Sequence, residues 1–300
     1  MDEKNNEKGE TEVQQQPVVA PVIIIEGSRR SRLRVALITF LLCCLVTTFP
    51  FCAQDSWVPM SASEMSDHLE IVHTCAAGSG LIVVKNDDAA PRIEATGCAS
   101  MHGPRGRVEL DSSKGFVTVY VPTSAFLSIH SQSEIRIDAA FEGNVRGGSI
   151  VSDSYYGNAH FTTNYGSISG RYTMNHRLHF TTNSGAIDVT VGFGSVNGSA
   201  ELTTQSNSGS TSARVESAGY RDISASHQAH SGSVSAYYPE AFQGSVFTET
   251  MSGSIDLVGA EIVHERRTPS GGSIVGKHGD GPGSITARAS SGSVTCVISG

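Results

Sequence analysis

A short signature, Gly-Ser followed by a β-branched residue, recurs with minor variants at eleven places between Gly148 and Val294. Its glycines are Gly148, Gly166, Gly185, Gly194, Gly209, Gly232, Gly244, Gly253, Gly272, Gly283 and Gly292. Their spacings are 18, 19, 9, 15, 23, 12, 9, 19, 11 and 9, which group near 9 to 12 and near 18 to 19. Two neighbouring copies are almost identical over nine letters, "HFTTNYGSI" from His160 and "HFTTNSGAI" from His179. A strand of four or five residues cannot bury its inward face alone. Copies of this kind must therefore stack, each covering the next.

After each glycine the apolar residues alternate at period two, which is a strand pattern. Ile187, Val189 and Val191 share one face, as do Val234 and Ala236, Ile255 and Leu257, and Ile285, Ala287 and Ala289. The last copy aligns Val294, Cys296 and Ile298, so Cys296 is expected as a small buried hydrophobe rather than a reactive thiol. The glycines between strands mark turns with φ > 0 or a close backbone approach. Stacking would place Thr162 and Thr163 against Thr181 and Thr182 as ladders of threonine. A β-solenoid and an irregular β-sandwich both satisfy this pattern, and the short, unevenly spaced strands favour the solenoid. Residues 54–145 also read as strands, including "GLIVV", "FVTVYVP" and "EIRID", and form the cap or first rungs of the stack.

"FVTVYVPTS" leading into "GNVRGGSI" and then repeated "SGSI" and "SGSV" units resembles an adhesin-like family of β-solenoid repeat domains with unassigned function. The family is bacterial in type and has eukaryotic members; the likeness runs from Phe116 to the C-terminus. It implies a right-handed β-helix-like solenoid over 146–300 and a role in surface interaction. It transfers no catalytic residues and no cofactor.

The N-terminal part reads differently. Residues 1–34 are polar, then Pro- and Val-rich, and are expected as a disordered tail. Val35–Ala53 carries no charge over 19 residues, a helix of about 28 Å against a hydrocarbon core of roughly 30 Å. Arg29, Arg30, Arg32 and Arg34 flank its N-side, and no Lys or Arg follows Ala53 until Lys85. That asymmetry predicts a single-pass anchor with the N-terminus cytosolic and the C-terminal domain extracellular or lumenal, and Trp57 at the far interface. A cleaved signal peptide is the competing reading. Its polar leader would be unusually long, and bulky Phe51 would stand where a small residue is preferred. A buried soluble helix is a third reading, which the one-sided arginines disfavour. An oxidising compartment would permit a Cys75–Cys98 bridge, and Asn197-Gly198-Ser199 is an N-glycosylation acceptor sequence.

The formal net charge is −8, and residues 54–300 carry the whole excess, with 15 basic and 23 acidic side chains. An acidic body argues against nucleic acid, which requires clustered Lys and Arg. The sequence contains no Gly-x-Ser-x-Gly elbow and no phosphate-binding glycine loop that opens a helix. His176/His179 and His227/His230 are H-x-x-H pairs, but strand positions i and i+3 face opposite ways, so exposed polar residues are the expectation. Asp188 and Asp256 should face outward about three rungs, or roughly 15 Å, apart; glycoside hydrolysis needs carboxyls about 5 to 9.5 Å apart. The leading expectation is a membrane-anchored, non-enzymatic module that displays Ser/Thr-rich strands to a protein or glycan. The alternatives are a polysaccharide-active β-helix enzyme using surface carboxylates, with Glu201 or Glu249 as the second acid, and self-association through an uncapped last rung.

Overall fold

The computed structural model describes residues 57–59, 68–75, 79–86, 92–95, 99–102, 107–112, 115–122, 126–194, 198–216 and 222–299, all within the unit Cys52–Gly300. The tail with Arg29, Arg30, Arg32 and Arg34, the span Val35–Ala53, Cys98 and Asn197 lie outside the described residues. Every described regular element is a β-strand, as the alternation predicts. Among the described residues no helix is long and apolar enough to cross a membrane.

The chain begins with β1 (Trp57–Pro59), β2 (His68–Cys75), β3 (Gly80–Asn86), β4 (Arg92–Ala95), β5 (Ala99–His102), β6 (Arg107–Ser112), β7 (Phe116–Pro122) and β8 (Phe126–Ser131). Three long strands follow, β9 (Glu134–Gly147), β10 (Ser149–Thr163) and β11 (Ile168–Thr182). Shorter strands complete it: β12 (Ile187–Phe193), β13 (Ala200–Ser208), β14 (Thr211–Val215), β15 (Ile223–Ser231), β16 (Val234–Pro239), β17 (Gly244–Ser252) and β18 (Ile255–Val258). The last four are β19 (Glu261–Arg267), β20 (Gly272–His278), β21 (Gly283–Ser291) and β22 (Val294–Ser299).

These strands pair in two parallel ladders. The first runs β7, β3, β9, β10, β11, β12, β14, β16, β22, β18. The second runs β6, β2, β8, β9, β10, β11, β13, β15, β21, β17. Each long strand serves both ladders, its first part in one and its last part in the other. The ladder pairing crosses residue 145 without a break, because that residue lies inside β9. Antiparallel strands border the ladders: β4 and β1 beside β7, β5 beside β6, and β20 then β19 beside β17.

Rungs do not stack in chain order. At one end β6 and β7 lie outside β2 and β3, although they come later in sequence. At the other end β21 and β22 are inserted between β15/β16 and β17/β18. The strand expected as an uncapped final rung, β22, is thus interior, flanked by β16 and β18. The last rung in space belongs to an earlier segment.

The inward faces agree with the alternation. Ile187, Val189, Val191, Val234, Ala236, Ile255, Leu257, Ile285, Ala287, Ala289, Val294, Cys296 and Ile298 are all buried. The two nine-letter copies lie one over the other, with His160 opposite His179, Phe161 opposite Phe180, Thr162 opposite Thr181 and Thr163 opposite Thr182. Phe161 and Phe180 stack with ring centres 5.3 Å apart, and Tyr155 and Tyr172 pack edge-on around them.

The recurring glycine has a steric cause. A Cβ on Gly166 would stand 1.7 Å from the Gly148 carbonyl oxygen, and one on Gly185 would stand 2.2 Å from that of Gly166. The turns of successive rungs touch backbone to backbone, leaving no room for a side chain. The nine-residue spacings 244–253 and 283–292 are the lengths of β17 and β21, which begin at Gly244 and Gly283 and end one residue before Gly253 and Gly292. Gly272 is different. It opens β20, which runs antiparallel to its neighbours.

Candidate functional site

The outward side of the second ladder carries side chains in registered rows. One row reads Arg146, Thr162, Thr181, Gln205, Gln228, Arg288, Glu249. The next reads Asn144, His160, His179, Thr203, Ser226, Thr286, Phe247. Period-two alternation sends these residues to solvent, and parallel pairing repeats each position about every 4.8 Å. The surface is rich in hydroxyl, amide and imidazole groups, which donate and accept hydrogen bonds without net charge.

Charges on this side are mostly matched. Glu201 lies 2.9 Å from Arg177 and 3.3 Å from His179 Nε2, and Glu249 lies 3.2 Å from Arg288. Burial, then the neighbouring His179, lowers the His160 pKa. Two shallow grooves lie on this side. One, of about 560 Å³, is lined by Asn158, His176, Arg177, Ser199, Glu201 and Ser224. The other, of about 320 Å³, includes Gln205, Asn207, Gln228, His230, Met251 and Arg288. The Asn158 side-chain oxygen accepts from the backbone N–H groups of His176 and Arg177, fixing the floor of the first.

Inside, one column changes character along the stack. It reads Ile71, Ile129, Val145, Phe161, Phe180, then Thr204, His227, Ala287 and Thr248. His227 is wholly buried. Its Nδ1 lies 2.9 Å from the Thr204 hydroxyl and its Nε2 2.7 Å from the Tyr238 hydroxyl, so one ring nitrogen donates while the other accepts. Burial pushes the His227 pKa down to about 4 and the Cys296 thiol up to about 12. Burial and then nearby Cys296 raise the Tyr238 phenol well above its ordinary value. A buried polar group costs little only when bonded in this way.

A second inward column sits three residues before the turn glycine: Thr163, Thr182, Ser206, Ala229, Ala289, Thr250. Ser206 Oγ donates to the Gly185 carbonyl at 3.0 Å, and Thr250 Oγ1 to that of Gly292 at 2.7 Å. At Ser206 and Thr250 the hydroxyl ties the strand end to the turn of the adjoining rung; Ala229 and Ala289 of the same column have none.

The expected site residues fall out as follows. His227 is buried, not exposed, because Ile223, Ala225, His227 and Ala229 form the inward set of β15. His176 and His179 both face outward. Extra residues in β11 between Met174 and Leu178 reset the alternation against β10, so i and i+3 no longer oppose. Asp188 and Asp256 are exposed and share one row of the first ladder, reading Asp188, Ser212, Ser235, Thr295, Asp256. They are four rungs apart rather than three, about 19 Å at the usual strand spacing. Inserting β22 between β16 and β18 adds the extra rung. Cys75 is half-buried and unbridged among the described residues; Cys98 and Asn197 are not described.

No protein-family model and no curated protein matches the chain. A crystal structure from Clostridium sporogenes, provisionally described as a cell adhesion protein, aligns over 82% of this chain and 99% of its own, at 8% identity and a TM-score of 0.23. A likeness at that score carries no argument about either fold or role.

Proposed function

We propose that the chain is a membrane-anchored, non-enzymatic interaction module, a two-faced β-solenoid that presents rows of polar groups to a protein or glycan outside the cytosol. The observation that carries this reading is the registered outward surface of the second ladder, from Thr162 through Gln228. Groups repeated at the rung spacing suit a partner that itself repeats or extends, since each added contact is made without reordering the scaffold. The parallel pairing of successive glycine-ended units supports the solenoid reading. The outward carboxylates Glu201 and Glu249 are engaged by arginines, and Asp188 and Asp256 are too far apart to act as a hydrolytic pair. The anchor rests on Val35–Ala53 and the arginines before it.

Two measurements test this proposal. The first is protease protection of the full chain, tagged at both ends, in intact vesicles; the N-terminal tag should be digested and the C-terminal tag shielded. Digestion of the C-terminal tag overturns the topology. The second is a glycan and surface-protein screen comparing wild type with Gln205→Ala/Gln228→Ala. Binding should weaken about tenfold in the variant, and polymer cleavage by the wild type would replace display with catalysis.

A further inference from the structure

β19 is an edge strand. Among the described residues β20 is the only strand beside it, and all seven residues from Glu261 to Arg267 are exposed. Its Ile262 and Val263 are 47% and 65% exposed, while Met251 and Val258 of the same end of the stack are 71% and 46% exposed. These are four of the seven large hydrophobics exposed among the described residues. The apolar surface thus collects at one end of the ladders. An open strand edge with apolar side chains is a template for another strand.

The charges of this strand say which one. "EIVHERR" is acidic at its first residue and basic at its last two. Arg267 engages Glu265 and lies 3.3 Å from the Ile255 carbonyl, whereas Arg266 has no carboxylate partner among the described residues. A parallel copy in register would set Arg266 and Arg267 against their own kind. An antiparallel copy brings Glu261 of each chain to the Arg266–Arg267 pair of the other, twice by symmetry, with Val263 and His264 at the centre. Opposite charges directly across a strand pair stabilise it and like charges oppose it. The pairing with β20 shifts register between Ile262 and His264, and Val263 at that shift is exposed.

We infer that β19 is a homotypic contact, joining two copies of this chain edge to edge through antiparallel β19 strands about a two-fold axis. The contact is independent of the display reading, since it involves the stack end and not the polar rows.

Cysteine cross-linking of the full chain in its membrane tests this contact. His264→Cys lies near the axis, where paired strands bring Cα atoms within bridging distance. Asp280→Cys, at an exposed turn position, is the control. Mild oxidation should convert His264→Cys to a band of twice the chain mass, at least five times more than the control. Adding Glu261→Arg should suppress that band about fivefold, and adding Arg266→Glu and Arg267→Glu as well should restore it. Equal cross-linking of His264→Cys and Asp280→Cys overturns the contact. So does a band at the mass of a different protein, or a yield that ignores both charge reversal and its compensation.

Discussion

The His227 imidazole lies 2.7 Å from the Tyr238 hydroxyl inside the stack, and its other nitrogen is held by Thr204. The ring is neutral in the fold, because complete burial penalises its charged form. Its folded pKa of about 4 lies below the unfolded value of 6.5. Between those values the unfolded chain binds a proton that the folded chain does not. Stability from this site is full above pH 6.5 and falls as pH drops through 4, a loss of about 3 kcal/mol. Urea midpoints across pH 7 to 4 should decline for wild type and decline less for His227→Gln. Parallel slopes would remove His227 from the acid response.

Gly166→Ala should destabilise the chain by about 3 kcal/mol, because its methyl would meet the Gly148 carbonyl. Gly192→Ala is the comparison: its nearest neighbour would be Thr173 Oγ1 at 3.7 Å, so it should stay within about 0.5 kcal/mol of wild type. Equal losses by chemical denaturation would mean that conformational freedom, and not contact between turns, selects the glycines.

The Thr163 hydroxyl lies 2.6 Å from the Gly166 carbonyl and 2.9 Å from the Thr182 hydroxyl, itself 3.1 Å from the same carbonyl. Two protons serve three contacts. Thr163→Val and Thr182→Val should each cost about 1 to 2 kcal/mol, and the double variant less than their sum. A double-mutant cycle reads the coupling, and strict additivity would separate the two residues.

Cys296 is fully buried, with its thiol pushed up to about 12. A maleimide at pH 8 should leave it unmodified in the native chain and label it only in denaturant. Peptide mapping would detect native labelling, which would place the β22 face in solvent.

The strands and their inward faces were legible because alternation is local: Ile187, Val189 and Val191, or Val294, Cys296 and Ile298, need no knowledge of a neighbour. Rung order was not legible. Every unit ends on the same glycine turn, so nothing near Gly253 or Gly292 says which lies against Gly232; long-range pairing decides. The same exchange made the Asp188–Asp256 separation four rungs. His227 is polar by residue type, and only its inward parity with Ile223 and Ala225 places it inside. His176 and His179 point the same way because extra residues in β11 are visible only against β10. At Gly272 the signature sits in an antiparallel strand, since Gly-Ser-Ile specifies close approach and not strand direction.

The exchanged rungs change how the ladders would carry a mechanical load. A pull on the N-terminal side first separates the short β1 from β4, then reaches β2, which is clamped along both edges by β6 and β8. At the other terminus β22 is held likewise between β16 and β18. Once β1 has been drawn off β4, tension applied at either terminus strains two rows of backbone hydrogen bonds together instead of peeling a ladder strand bond by bond. The outermost rungs, which would peel most readily, are the ones that such a pull does not reach first.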